Sequence, residues 1–329
     1  MEDQALINLE TMISQEYSNI AGIVVRKNDQ LIYERYWNGC TKTSTLHIYS
    51  VTKSILSMLI GIAFDKGYLM DINQPVLDFF PEYTVKKKEK TIQHVTLSNM
   101  LTMTAPYTYK IGPYLKYFTS EDWVTFSLNL LGGKKAIGEF FYAPLIGLDI
   151  LSGILMKVTH TSVREFAQEH LFSPLAITVK NSIYFQSKQE QLAFNKARDI
   201  SGWAVDPKGV NAAGWGLTLS ARDMAKLGQL YLNGGIWNGK QIISKAWIEE
   251  STKEHSRWDK MKLQYGYLWW LDVGEKNSFA AMGDGGNVIY IQPDKKIVIS
   301  IMGFFKPNAK DSINLIATHI RPLFDAIEI

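Results

Sequence analysis

The chain has 329 residues, 46% of them hydrophobic, 12% aromatic and 20% charged, a composition that excludes a disordered chain and allows one large domain or two intimately packed ones. Thirty-five Lys and Arg against 32 Asp and Glu leave a charge of +3, too small and too dispersed to imply a nucleic-acid partner. A single cysteine, Cys40, excludes an intramolecular disulfide, and no Cys/His cluster has zinc spacing, so no metal is expected.

In chain order, Met1-Glu2-Asp3-Gln4 carries acids where a secretory signal would carry Lys or Arg, which leads us to expect a cytoplasmic protein. Residues 5–16 then place Leu6, Ile7, Leu9, Met12 and Ile13 at helical spacing. Residues 20–26 and 31–37 read as two strands, joined through Lys27-Asn28-Asp29-Gln30 into a hairpin. A helix starts near Ser50. Its apolar stretch, 55–64, is interrupted by Ser57 and Gly61 and is too short to cross a bilayer, so no membrane partner is expected.

From about 66 to 270 the periodic segments are mostly helical. The run Lys86-Lys87-Lys88 with Lys90 is broken by Glu89 and reads as a solvated loop. Ser162-Val163-Arg164-Glu165 and Ser220-Ala221-Arg222-Asp223 are capping-box patterns, and the second helix closes at Gly234-Gly235. Strands return at 279–282, 288–292 and 297–302, and a helix over 311–326 ends the chain. The expected fold is therefore α/β: an antiparallel sheet region from residues 1–65 plus 271–329, flanked by helices, with a mostly helical region, 66–270, inserted into it.

Ser50-Val51-Thr52-Lys53 is the only Ser-x-x-Lys in the chain. The pattern alone is weak, and its ordinary reading makes Ser50 a helix N-cap and Lys53 a solvated side chain. Context argues otherwise. The helix is apolar nearly all round, and Ser50, Lys53, Ser57 and Gly61 form its one polar or small stripe, so the Ser50 hydroxyl and the Lys53 amine share a face. A lysine in the first turn opposes the helix dipole by up to about 1 kcal/mol, a poor choice for stability. Desolvation and the dipole instead favour a neutral amine, which can act as a general base at neutral pH.

Ile48-Tyr49-Ser50-Val51-Thr52-Lys53-Ser54 and Thr96-Leu97-Ser98-Asn99-Met100-Leu101-Thr102-Met103-Thr104 resemble successive signatures of the serine hydrolases related to class C beta-lactamases and DD-peptidases. Gly214-Trp215-Gly216-Leu217, the segment from Ser220 to Gly228, and Tyr265-Gly266-Tyr267-Leu268-Trp269-Trp270 extend the resemblance in order from about residue 5 to 305. It implies the beta-lactamase-like fold and an acyl-enzyme at Ser50, with Lys53 as its base and no organic cofactor.

The resemblance also implies a tyrosine in a Tyr-x-Asn element that shuttles the proton. The similar position is Tyr142, in Gly138-Glu139-Phe140-Phe141-Tyr142-Ala143-Pro144, where Pro144 stands in place of the asparagine. The literal matches Tyr17-Ser18-Asn19 and Tyr231-Leu232-Asn233 are rejected, the first because it precedes the nucleophile and the second because it ends a capped helix. The ordinary reading of Tyr142 is a core aromatic beside Phe140 and Phe141.

The family's third element is Lys-Thr-Gly or His-x-Gly, and neither string occurs. Gly283-Asp284-Gly285-Gly286-Asn287 occupies the similar place, although Asp-Gly is also a plain hairpin signal. The resemblance assigns substrate binding to Asp284, Gly285 and Gly286 and an oxyanion site to the backbone N–H groups of Ser50 and Asn287. Asp284 replaces a cation that in relatives meets a substrate carboxylate.

The expected activity is hydrolysis of a small-molecule ester or amide, with weak turnover of penicillins at most. Two alternatives stand beside it: a catalytically weak binding or regulatory protein that kept the fold, and an exported DD-peptidase made from a longer precursor. The residue pattern sets neither the natural acyl group nor the oligomeric state.

Overall fold

The structure, a computed structural model, describes residues 2–325. Helix α1 (Glu2–Glu16) leads into strands β1 (Ile20–Lys27) and β2 (Gln30–Tyr36). Asn28 and Asp29 between them both adopt left-handed φ, 46° and 64°, the backbone of a two-residue hairpin turn whose twist matches its strands. Helix α2 (Val51–Asp65) follows and buries thirteen of its fifteen positions, as an all-round apolar helix must.

Helix α3 (Asp149–Thr159) belongs to the region inserted after α2, and α4 (Ala221–Leu232) starts at the Ser220/Asp223 capping box. The other strands of the main sheet are β3 (Ser256–Trp258), β4 (Leu263–Tyr265), β5 (Trp270–Leu271), β6 (Phe279–Gly283), β7 (Asn287–Gln292) and β8 (Ile297–Gly303). They join β1 and β2 in one eight-stranded antiparallel sheet of order β2-β1-β8-β7-β6-β5-β4-β3.

The middle strands are apolar on both faces because helices cover both. On one face Ser300 Oγ donates to the Ala221 carbonyl at 2.7 Å, which ties α4 to β8. On the other, Tyr33 packs against Phe324, with ring centroids 5.3 Å apart, and the Lys27 amine donates to the Phe324 carbonyl. The last helical segment runs through Ser312–Leu315, a π-turn at Ile316–Ile320 and Arg321–Phe324, with Asp311 as its N-cap. The expected end at Ala326 lies outside the described residues.

One division of the chain differs from expectation. The strands β3 to β5 extend the sheet, and α4 packs on it, so Ala221–Leu232 and the strand residues from Ser256 to Trp270, which the pattern gave to the helical region, belong to the sheet layer. Strands of two or three residues are too short to display a two-residue period. Among the described residues no helix is long and apolar enough to cross a membrane.

Candidate active site

The N-terminus of α2 is built unlike an ordinary helix start. Tyr49, the residue before Ser50, has φ of 50°, a conformation that is costly for a bulky side chain. Its surroundings hold it there: the Tyr49 hydroxyl donates to the Asn195 carbonyl at 3.1 Å, Thr52 Oγ1 donates to the Tyr49 carbonyl at 2.7 Å, and the Tyr49 ring lies 3.9 Å from that of His47. Ser50 takes the N-cap position, but its side chain makes no capping bond. The hydroxyl is half-exposed and instead accepts a hydrogen bond from Lys53 Nζ at 2.5 Å.

Lys53 is buried, 2% exposed. Its amine also donates to the carbonyls of Pro144, at 2.7 Å, and Gly214, at 3.3 Å. Burial brings its pKa down to about 7, against the pull of Asp284 and Asp149 towards the charged form. A neutral amine has two N–H groups and one lone pair. In that form the two carbonyls accept both N–H groups and the contact with Ser50 reverses, the hydroxyl donating to the lone pair. Proline at 144 removes the side-chain amide expected there, while its backbone carbonyl takes part in holding the base.

Tyr142 is partly buried, and the Lys53 amine lies 5.7 Å from its ring centroid. Burial and the charge of Asp284 push its pKa up to about 12, while hydrogen bonding with Ser50 acts in the opposite direction. Its ring stacks on Trp258 at 5.4 Å and 17° and tilts against Trp270 at 5.6 Å. The strands that sequence periodicity missed, β3 and β5, therefore supply the wall behind this phenol.

Gly283 brings the end of β6 against α2. A Cβ there would come within 2.5 Å of the Ile48 carbonyl and 3.0 Å of the Ser50 nitrogen, so only glycine permits the approach. Beyond it, Asp284 is exposed, and its charge acts on Tyr49, Lys53 and Tyr142. Gly285, at φ 74°, and Gly286, at φ 77°, carry the turn back. Gly285 is buried, and its carbonyl accepts from Asn19 Nδ2 at 2.7 Å.

Asn287 is buried across the hairpin from Gly283. Its side chain donates to the Asp284 and Gly303 carbonyls, at 2.7 and 2.9 Å, and accepts from the Gly303 N–H at 3.0 Å. This amide is committed to shaping the turn. The backbone that approaches Ser50 is that of Gly283, a residue absent from the sequence assignment, as are Gly214, Trp258 and Asp149.

A largely apolar cavity of about 640 Å³ is lined by Tyr114, Phe118, Trp123, Phe185, Leu192 and Asn195 among others, and not by Ser50, Lys53, Tyr142 or Asp284. Asn195 is the residue that holds the Tyr49 hydroxyl, and Phe118 and Phe185 pack on Trp215, next to Gly214. Among the described residues no group of His, Cys, Asp and Glu is placed to hold a metal.

Comparison with known proteins agrees with this architecture. The chain is 23% identical over 298 residues to the 6-aminohexanoate-dimer hydrolase of Paenarthrobacter ureafaciens, spanning 84% of this chain and 70% of that one. Its fold matches the octameric penicillin-binding protein homologue from Pyrococcus abyssi with a TM-score of 0.73 at 21% identity, covering 97% of this chain and 77% of the other. It matches a family VIII carboxylesterase with a TM-score of 0.71 at 15% identity, covering 98% of each. The Beta-lactamase family profile fits residues 13–313, nearly the whole length over which the sheet, helix α2 and the glycine turn are assembled, and the chain belongs to that family.

Proposed function

We propose that the protein is a serine hydrolase that forms an acyl-enzyme at Ser50 and acts on a small ester or amide. The observation that carries this reading is the contact between Lys53 Nζ and Ser50 Oγ, made by an amine whose two N–H groups are already taken by carbonyls. Near neutral pH Lys53 exchanges its proton and Tyr142 keeps its own, so Lys53 is the base and Tyr142 the relay. The Ser50 oxygen bonds to the acyl carbon as its proton passes to Lys53. The bond to the leaving group breaks, and that group takes up the proton by way of Tyr142. Water then attacks the acyl-enzyme and releases the acid.

The oxyanion is held by the Ser50 N–H at the positive end of α2 and by a second backbone donor from the edge of β6, between Gly283 and Gly285. Asp284 sets the substrate class. Its exposed carboxylate repels a substrate carboxylate, which disfavours penicillins and favours neutral or amine-bearing esters and amides. The 6-aminohexanoate-dimer hydrolase and the carboxylesterase are, by name, hydrolases of a 6-aminohexanoate dimer and of carboxylic esters, which supports a small ester or amide as substrate.

The test is covalent labelling with a fluorophosphonate probe followed by peptide mass spectrometry. An adduct on Ser50, absent in Ser50→Ala, is the expected result. Labelling elsewhere, or none where a control hydrolase reacts, would favour a binding protein, the reading that Pro144 and Asp284 also support.

A further inference from the structure

Asp149, the first residue of α3, is wholly buried and makes no ion pair among the described residues. Burying a carboxylate in this way is expensive unless its partners are well placed. Those partners are the Ala213 N–H, 3.1 Å from Oδ1, the Ser127 hydroxyl, 3.5 Å from Oδ2, and the Tyr117 hydroxyl. Each leads towards Lys53 by a different route. Ala213 precedes Gly214, whose carbonyl accepts from Lys53. Tyr117 accepts from Trp215 Nε1 at 3.2 Å, just beyond Gly214. Ser127 Oγ accepts from the Gly147 N–H at 3.2 Å, in the segment that runs back to Pro144, which supplies the other carbonyl on the amine. One side chain thus joins the two segments that hold the base.

We propose that Asp149 is the positioning residue of the catalytic amine, clamping the carbonyls of Pro144 and Gly214 around Lys53 and setting through its charge how readily that amine gives up a proton. The inference rests on the reading of Lys53 as the base. The groups facing Lys53 are Ser50, Tyr142, Asp284 and Asp149. Those facing Asp149, besides Lys53, are Tyr117, Tyr107, Tyr109 and Asp206. The tyrosines hold their protons throughout the neutral range, and burial raises the Asp149 carboxyl to about 7, so Asp284, and Asp149 once it ionises, are the charges that bear on the amine.

The sign of the effect follows. A negative charge near Lys53 stabilises its protonated form, so removing that charge lets the amine stay neutral at lower pH. The experiment is the pH dependence of kcat/KM on p-nitrophenyl acetate for the wild type, Asp149→Asn and Tyr117→Phe. In Asp149→Asn the acid limb should move down by about half a pH unit or more. Tyr117→Phe removes a donor from the carboxylate and makes it hold its proton more readily, so its limb should move the same way by a smaller amount.

A lower plateau with the limb unmoved in Asp149→Asn would reduce Asp149 to a structural part and overturn the proposal. Should that variant fail to fold, an unmoved limb in Tyr117→Phe would overturn it as well. Loss of all Ser50-dependent turnover in the wild type would defeat the hydrolase reading itself, whereas normal turnover with unmoved limbs defeats only the inference about Asp149.

Discussion

Burial lowers the pKa of Lys53 at a cost to the fold. The carbonyls of Pro144 and Gly214 accept two of its N–H groups in either protonation state, and burial discourages the third proton. The acid limb of the kcat/KM profile for an uncharged ester should therefore lie near pH 7, with activity rising as the pH passes through it. A limb near the usual lysine value would remove Lys53 from this role. The same shift is a statement about stability. With a folded pKa of about 7 against 10.5, Lys53 destabilises the fold fully below pH 7, and the penalty fades as the pH rises from 7 towards 10.5. Lys53→Met should abolish turnover while stabilising the protein by about 1 to 2 kcal/mol at pH 6, once the two orphaned carbonyls are charged against the gain. Melting curves at pH 6 and pH 10 test this, because the advantage of the variant should shrink at the higher pH.

At the scale of elements, the site exists because the end of β6 presses on the first turn of α2. Gly283→Ala would put a Cβ within 2.5 Å of the Ile48 carbonyl and push the strand edge away from Ser50. We expect kcat to fall about ten- to a hundredfold, since displacements of an ångström at a reacting centre cost that much, with the fold retained by circular dichroism. Unchanged kcat would separate β6 from the oxyanion. The pairing of Ser50 with Lys53 was legible in the sequence, because a buried helix that opens on a lysine makes poor structural sense. The first hairpin and the strands from 279 onward were legible from alternation and turn residues. The strands β3 to β5 were not, being too short to show a period. Nor could the roles of Pro144 and Gly214 be read, since a backbone carbonyl leaves no signature in side-chain identity. Asp149 looked like any acid at the start of a helix, and only the long-range contact with Ala213 distinguishes it.

Across the whole molecule the charges nearly cancel, +3 in 329 residues, so the overall field neither gathers nor repels a substrate strongly and the local charge of the cleft decides. On the proposed reading that charge is Asp284, which is exposed and acts on Tyr49, Lys53 and Tyr142 at once. An amine-bearing aryl ester should be favoured over its uncharged analogue by about three- to tenfold in kcat/KM at low salt, and a benzylpenicillin carboxylate disfavoured, because a unit charge in a partly exposed cleft is worth that much before screening. In Asp284→Asn the preference for the amine should collapse towards unity, and added salt should do to the wild type what the substitution does at low salt. A discrimination that survives both changes would place its origin in the shape of the site rather than in the Asp284 carboxylate.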